Sequence, residues 1–65
     1  MDKLREALEK VPGSYDDFVD FIIEKVDDNE EASEKVIDFI NENSEARTSQ
    51  VLDYFDEVRE EYDLD

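Results

Sequence analysis

Apolar residues recur every three or four positions in four stretches of this chain, which is the spacing of one face of an α-helix. No stretch of strand length alternates apolar and polar residues as a half-buried β-strand does. We therefore predict an all-α protein, a compact bundle of four short helices that forms a single small domain over residues 1–65. The predicted helices cover residues 2–10, residues 15–26, a stretch that follows Asp27-Asp28-Asn29 and ends near Asn43, and residues 48–62.

The predicted core consists of apolar residues that share a face on each helix. A chain of 65 residues with no Cys and no His has neither a disulfide nor a structural zinc site, so its stability must come from this packing. The apolar face of the second helix spans roughly 200° of its circumference, which is wide for a surface helix. We expect that helix at the centre of the fold or against a second subunit. The predicted core residues are Leu4, Leu8, Phe18, Ile22, Val26, Val36, Phe39, Ile40, Val51, Phe55 and Val58.

Polar residues before the later helices predict their N-caps. Ser14, after the single Pro-Gly pair, is the expected cap of the second helix, and Asp17 completes an approximate capping box. Asp27-Asp28-Asn29 offers a choice of caps for the third helix, and Thr48 or Ser49 caps the fourth. Each of these side chains can accept a hydrogen bond from a free backbone N–H in the first turn.

The second half of the chain combines a helix, a short turn and a capped helix. Apolar positions at helical spacing lie on both sides of Asn43-Ser44-Glu45-Ala46, and Thr48 precedes Val51 and Leu52. This arrangement resembles the helix-turn-helix of DNA-binding domains. In that family the second helix presents basic and amide groups to the major groove, whereas the exposed positions here are mostly acidic and include a single base, Arg59. We expect a helix-turn-helix-like scaffold that binds no nucleic acid directly.

The charge of the chain restricts its partners. It has 22 acidic and 7 basic residues, a formal net charge of −15. This disfavours nucleic-acid backbones and anionic membranes, which bind through Lys and Arg, and it favours solubility and basic partners. No stretch approaches the roughly 20 apolar residues that cross a bilayer. We expect a small soluble protein of the cytoplasm.

Catalytic and metal-binding patterns are weak in this sequence. Without His or Cys, and with no Ser or Lys in a recognisable constellation, we expect no enzyme and no cofactor. Carboxylates cluster on the second helix at Asp16, Asp20 and Glu24 and in the loop that begins at Asp27, where weak Ca²⁺ or Mg²⁺ association is physically reasonable. The loop lacks the spacing, Gly and closing Glu of an EF-hand. We interpret these carboxylates as a solvated surface and expect no metal site.

Apolar residues at the margins of the predicted core suggest a protein–protein interaction module. Phe21 and Ile23 lie at opposite edges of the apolar arc of the second helix, and Tyr54 and Tyr62 can bury a ring while keeping the hydroxyl in water. Beside acidic residues, such a surface suits a basic amphipathic helix or a second copy of the chain, so the sequence leaves monomer and homodimer open.

An alternative function uses the charge itself. Small, acidic, helical proteins include inhibitors that imitate the phosphate backbone of DNA and bind basic nucleic-acid-binding proteins, and this chain is similar to them in those gross respects. The residues of this candidate acidic surface are Asp16, Asp20, Asp53, Asp56, Glu57 and Glu60. The two functions differ in their response to salt, because binding through charge weakens steeply as salt is added whereas apolar docking persists.

Overall fold

The computed structural model describes residues 2–27 and 29–64 and confirms the predicted all-α fold with four helices. Every residue that it describes lies in a helix, a turn or irregular backbone. Each helix starts and ends close to its predicted position. The helices are α1 (Asp2–Glu9), α2 (Asp16–Val26), α3 (Glu30–Glu42) and α4 (Thr48–Tyr62).

A tight turn at the only Pro and Gly of the chain separates α1 from α2. The Ser14 N–H donates to the Val11 carbonyl at 2.9 Å. Gly13 has φ +80°, the value of the third residue of a type II turn, which residues with a Cβ rarely adopt. Pro12 precedes it at the position where a fixed φ near −65° is favourable. The chain therefore reverses sharply here and brings α2 against α1.

The predicted N-cap of α2 is wrong. The cap is Tyr15, and no side chain accepts a hydrogen bond at this helix end. Ser14 belongs instead to the preceding turn through its own backbone N–H. The negative charges of Asp16 and Asp17 in the first turn still favour the positive end of the helix dipole.

The caps of the last two helices follow different rules. Asn29 caps α3 as predicted, because its Oδ1 accepts from the Ala32 N–H at 3.0 Å. The cap of α4 is Arg47 and not Thr48 or Ser49. A guanidinium cannot accept a hydrogen bond from the backbone. The hydrogen bond at this helix end is instead donated by the Arg47 backbone N–H to the Gln50 Oε1, at 3.0 Å.

The third helix makes the most extensive contacts in the fold. Both α1 and α4 pack mainly on α3, and within the described residues no Cα atom of α1 lies within 8 Å of one in α4. The second helix contacts each of the other three less extensively. The central position, which the wide apolar arc of α2 suggested for that helix, is therefore held by α3. One flank of α2 is consequently left partly uncovered.

The buried core contains the predicted residues with one exception. Phe39 is half-buried, and its ring stacks on Tyr54 with centroids 4.3 Å apart and an interplanar angle of 10°. The Tyr54 ring thus covers one face of the Phe39 ring at the margin between α3 and α4. Further small residues complete the packing. The buried residues outside the predicted set are Ala7, Val11, Val19, Ala32 and Ala46.

Truncating a buried aromatic residue should unfold much of this protein. Phe55 is fully buried, so Phe55→Ala should lower the free energy of unfolding by about 3–5 kcal/mol through lost burial and a residual cavity. Phe39→Ala, at a half-buried site, should cost about 1–2 kcal/mol. Urea titrations followed by circular dichroism would measure both changes. Equal losses would contradict the difference in burial between the two rings.

The C-terminus of α2 stores backbone strain at Asp27. This residue has φ 52° and ψ −129°, a conformation that favours Gly. Asp27→Gly should therefore raise the free energy of unfolding by about 1 kcal/mol despite the added flexibility of the unfolded chain. Asp27→Asn makes the same change in charge but keeps the Cβ, and it should not give this gain. A similar gain in both variants would assign the effect to charge relief rather than to strain.

Candidate interaction surface

A shallow groove between the start of α2 and α4 holds the most exposed large apolar side chains that the structure describes. Tyr15 is 53% and Phe21 37% exposed. The groove has a volume of about 480 Å³ and is open to solvent. Its wall and floor are largely apolar, and carboxylates lie at its edge. The lining residues are Tyr15, Asp17, Phe18, Phe21, Leu52 and Asp56.

Helical geometry explains why these residues meet. Phe18 and Ile22 point from α2 into the core, so Phe21, about 60° from Phe18, falls on the flank of α2 that faces α4. Tyr15 precedes the first turn of α2, and its ring lies 5.8 Å from that of Phe18. On α4, Leu52 is one turn before Asp56 on the facing flank.

The Phe21 ring is surrounded by one aromatic and two cationic neighbours. It meets the Phe55 ring edge to face, with centroids 6.1 Å apart and planes at 79°. The Lys25 Nζ lies 5.9 Å and the Arg59 Cζ 5.7 Å from the Phe21 centroid, within the range of cation–π attraction. The Arg59 Nη1 lies 3.7 Å from the Asp56 Oδ1. Phe21 is thus both an exposed apolar surface and an attractor of positive charge.

The four residues predicted to form an interaction surface do not share one patch. Phe21 lines the groove, and Ile23 is half-buried against the core. Tyr54 is half-buried and stacks on Phe39 between α3 and α4. Tyr62 is also half-buried at the α3–α4 junction, where it lies near Lys35. Within this set, only Phe21 belongs to the groove.

Tyr15 and Leu52 line the groove but belong neither to the predicted core nor to the predicted interaction surface. Tyr15 is in register with the buried Phe18 and Val19 but precedes the first residue of α2 and is exposed, whereas Leu52 is offset by one position from the buried Val51 on α4. That offset was a signal visible in the sequence. It becomes informative only when α2 and α4 are known to be neighbours.

An ion pair and a phenol connect the end of α4 to α3. The Lys35 Nζ lies 3.2 Å from the Glu61 Oε2, and this hydrogen bond and charge raise the pKa of Lys35. Burial raises the pKa of Tyr62, and a hydrogen bond with Glu61 raises it further. Both shifts favour the protonated form of the group in the folded protein. The ion pair thus links α4 to α3 beside the half-buried Tyr62.

The protein should lose stability in alkaline solution. The pKa values of Tyr62 and Lys35 are raised from 10.0 and 10.5, so their contribution to folding is complete below those values. It is lost as pH rises through the folded pKa of each group. Urea unfolding between pH 9 and 12 should show this decline, with a shallower slope for Tyr62→Phe. An unchanged slope in that variant would exclude Tyr62 as a source, and Tyr15→Phe is the matched control at an exposed ring.

The predicted acidic residues lie on two helices. Asp53, Asp56, Glu57 and Glu60 are all exposed and follow the i, i+3, i+4, i+7 spacing of one helix face. We call these four residues the α4 ridge; Asp56 also lines the groove. The remaining two, Asp16 and Asp20, are exposed on α2, where the Asp20 Oδ1 pairs with the Arg5 Nη2 at 3.4 Å. The ridge and the groove therefore adjoin each other.

Clustered carboxylates do not make a metal centre in the described part of the chain. Among residues 2–27 and 29–64, no group of three or more His, Cys, Asp or Glu side chains is arranged to hold a metal ion. Asp28, in the acidic loop that the sequence pattern singled out, lies outside the described residues. None of the helices in these two ranges has the length and apolar character needed to cross a membrane.

Comparison of the chain with protein-family models, curated proteins and solved structures finds no match. The fold and surface define a class only in physical terms: an acidic four-helix protein with an aromatic groove beside a row of carboxylates. Its function must be inferred from that surface.

Proposed function

We propose that the protein is an interaction module that binds another protein through the groove between α2 and α4. The observation that carries this proposal is the exposure of two neighbouring aromatic residues, Tyr15 and Phe21, in one groove. Exposed aromatic rings gain free energy when a partner buries them, and rings with a polar tip tolerate water in the free state. Leu52 extends the same apolar surface onto the second helix.

The charge around the groove favours a basic partner. Asp17 and Asp56 line it, and the net charge of the chain is −15. A second copy would bring an equal negative charge to the same surface, so repulsion opposes a homodimer there. We therefore propose a monomer of the cytoplasm that binds a basic segment of a different protein, with no enzymatic activity and no direct contact to nucleic acid.

The α4 ridge supports a second candidate function. Its four exposed carboxylates lie on one helix face, as an acidic inhibitor of a nucleic-acid-binding protein requires. Asp16 and Asp20 support it less, because they lie on another helix and Asp20 is already paired with Arg5. The groove is the better-supported site, since the ridge alone does not explain the exposed aromatic rings.

Replacing a groove aromatic should abolish partner capture. Immobilised protein would be exposed to nuclease-treated lysate of the source cells and washed at 0.1 M and 0.5 M salt. Tyr15→Ser and Phe21→Ser should each reduce the captured partner at least tenfold, whereas Asn41→Ser, at an exposed polar site of α3, should not. Tyr15 is more than half exposed, so Tyr15→Ser should retain the parent melting temperature.

The same experiment separates the two functions. A partner retained at 0.5 M salt and lost with Tyr15→Ser supports the groove. A nucleic-acid-binding protein that is released by salt and by duplex DNA, and lost with Glu57→Gln and Glu60→Gln but not with Tyr15→Ser, supports the acidic inhibitor instead. Capture that is indifferent to both sets of variants contradicts both functions.

A further inference from the structure

Among the charged residues that the structure describes, Arg59 alone has a buried side-chain nitrogen without a hydrogen-bond partner. Its Nε is buried and makes no hydrogen bond. Its contact with Asp56, at 3.7 Å, is longer than a hydrogen bond. A guanidinium offers five N–H donors, and leaving a buried donor unpaired costs free energy. Arg59 therefore holds its position over Phe21 with little hydrogen bonding to keep it there.

The position that Arg59 occupies is one that a cation from a partner would favour. It contacts Phe21 by cation–π attraction and Asp56 by charge, and both of those residues line the groove. Aromatic rings beside a carboxylate are the usual chemistry for recognising Lys or Arg. Arg59 thus contributes, from within the chain, the kind of group that a basic partner would bring.

The Arg59 side chain can also rotate into a neighbouring depression of the surface. Its side chain is 30% exposed. A second surface depression of about 390 Å³ adjoins the groove through Asp56. Besides Asp56 and Arg59, it is lined by two more carboxylates, Glu60 and Asp63. A rotation of Arg59 toward these groups would release Asp56 and the Phe21 ring while keeping the guanidinium near negative charge.

We propose that Arg59 is an internal competitor for a basic amphipathic helix that binds the groove. This inference rests on the proposed function and specifies its partner. A groove between two helices fits a third helix, with apolar side chains at i and i+3 or i+4 against Tyr15, Phe21 and Leu52. A Lys or Arg of the bound helix, one turn from its apolar residues, meets Asp56, and Arg59 must then break its contact with that carboxylate. Binding is therefore weaker than the groove would otherwise allow.

The test uses a defined probe, a fluorescein-labelled 18-residue peptide of Leu and Lys patterned as an amphipathic helix. Its Kd would be measured by anisotropy at 0.15 M salt against the full chain and its variants. Arg59→Gln should bind the peptide about three- to tenfold more tightly. Arg5→Gln, which removes the same charge from a pair on α1, should change the Kd by less than twofold.

Two further variants assign the effect to the competing contact. Asp56→Asn should weaken peptide binding, and in that background Arg59→Gln should give a smaller gain than in the parent, because the shared carboxylate is gone and only the contact with Phe21 remains to be released. Arg59→Met keeps an apolar stem over Phe21 and should reproduce the gain if Arg59→Gln lowers the melting temperature. A Leu/Glu peptide of the same pattern should not bind, and a Lys/Ser peptide without an apolar face should bind more weakly.

Equal gains for Arg59→Gln and Arg5→Gln would overturn the inference, because net charge alone would then explain both. Failure of the Leu/Lys peptide to bind, or equal binding by Tyr15→Ser, would exclude a basic helix as the occupant. If capture from lysate still depends on Tyr15 in that case, the proposed function stands and only its partner is wrong. If capture is also independent of Tyr15, the interaction module itself is excluded.

Discussion

The packing of α1 and α4 on α3 is the contact on which the rest of the structure depends. In the described part of the chain, the backbones of α1 and α4 approach α3 closely but not each other, so both helices rely on the buried face of α3, formed by Ala32, Val36 and Ile40. The second helix closes the remaining side with fewer contacts. The apolar arc of α2 is wide, and one of its flanks, at Phe21, stays exposed. The groove is the uncovered flank.

Apolar packing must also overcome the charge of the chain. The ion pairs Arg5–Asp20, Lys35–Glu61 and Arg59–Asp56 lie at partly or largely exposed side chains. Exposed pairs contribute at most about 1 kcal/mol each, and salt screens them. With 22 acidic and 7 basic residues in the chain, such pairs leave much of the mutual repulsion between the acidic residues in place. The buried core therefore provides the stability, and the surface charge is available for binding.

The sequence predicts local structure well because helical spacing and the Asn29 cap depend on neighbours in the chain. It predicts Phe55 as buried for the same reason, since that residue lies in the middle of its apolar face. It is wrong at Phe39, which was predicted in the core but stacks on Tyr54 at the margin. It also does not distinguish the exposed Phe21 from the half-buried Ile23 and Tyr62. Whether a flank is covered depends on which helices pack against each other, and this is a property of the tertiary structure. The prediction that Ser14 caps α2 is wrong for a similar reason, because the backbone N–H of Ser14 closes the Pro-Gly turn on the Val11 carbonyl.

In the proposed function, the groove and the α4 ridge act as parts of one binding surface, because Asp56 belongs to both. Exposed carboxylates such as Glu57 and Glu60 attract a basic partner over a distance of about 10 Å and mainly increase the rate of association. Apolar burial at Tyr15 and Phe21 acts only at contact and mainly slows dissociation. A partner that supplies both features gains from each in turn. Under this proposal, a partner with charge alone would reach the ridge but meet Asp56 already paired with Arg59, so the surface would favour basic segments that are also amphipathic.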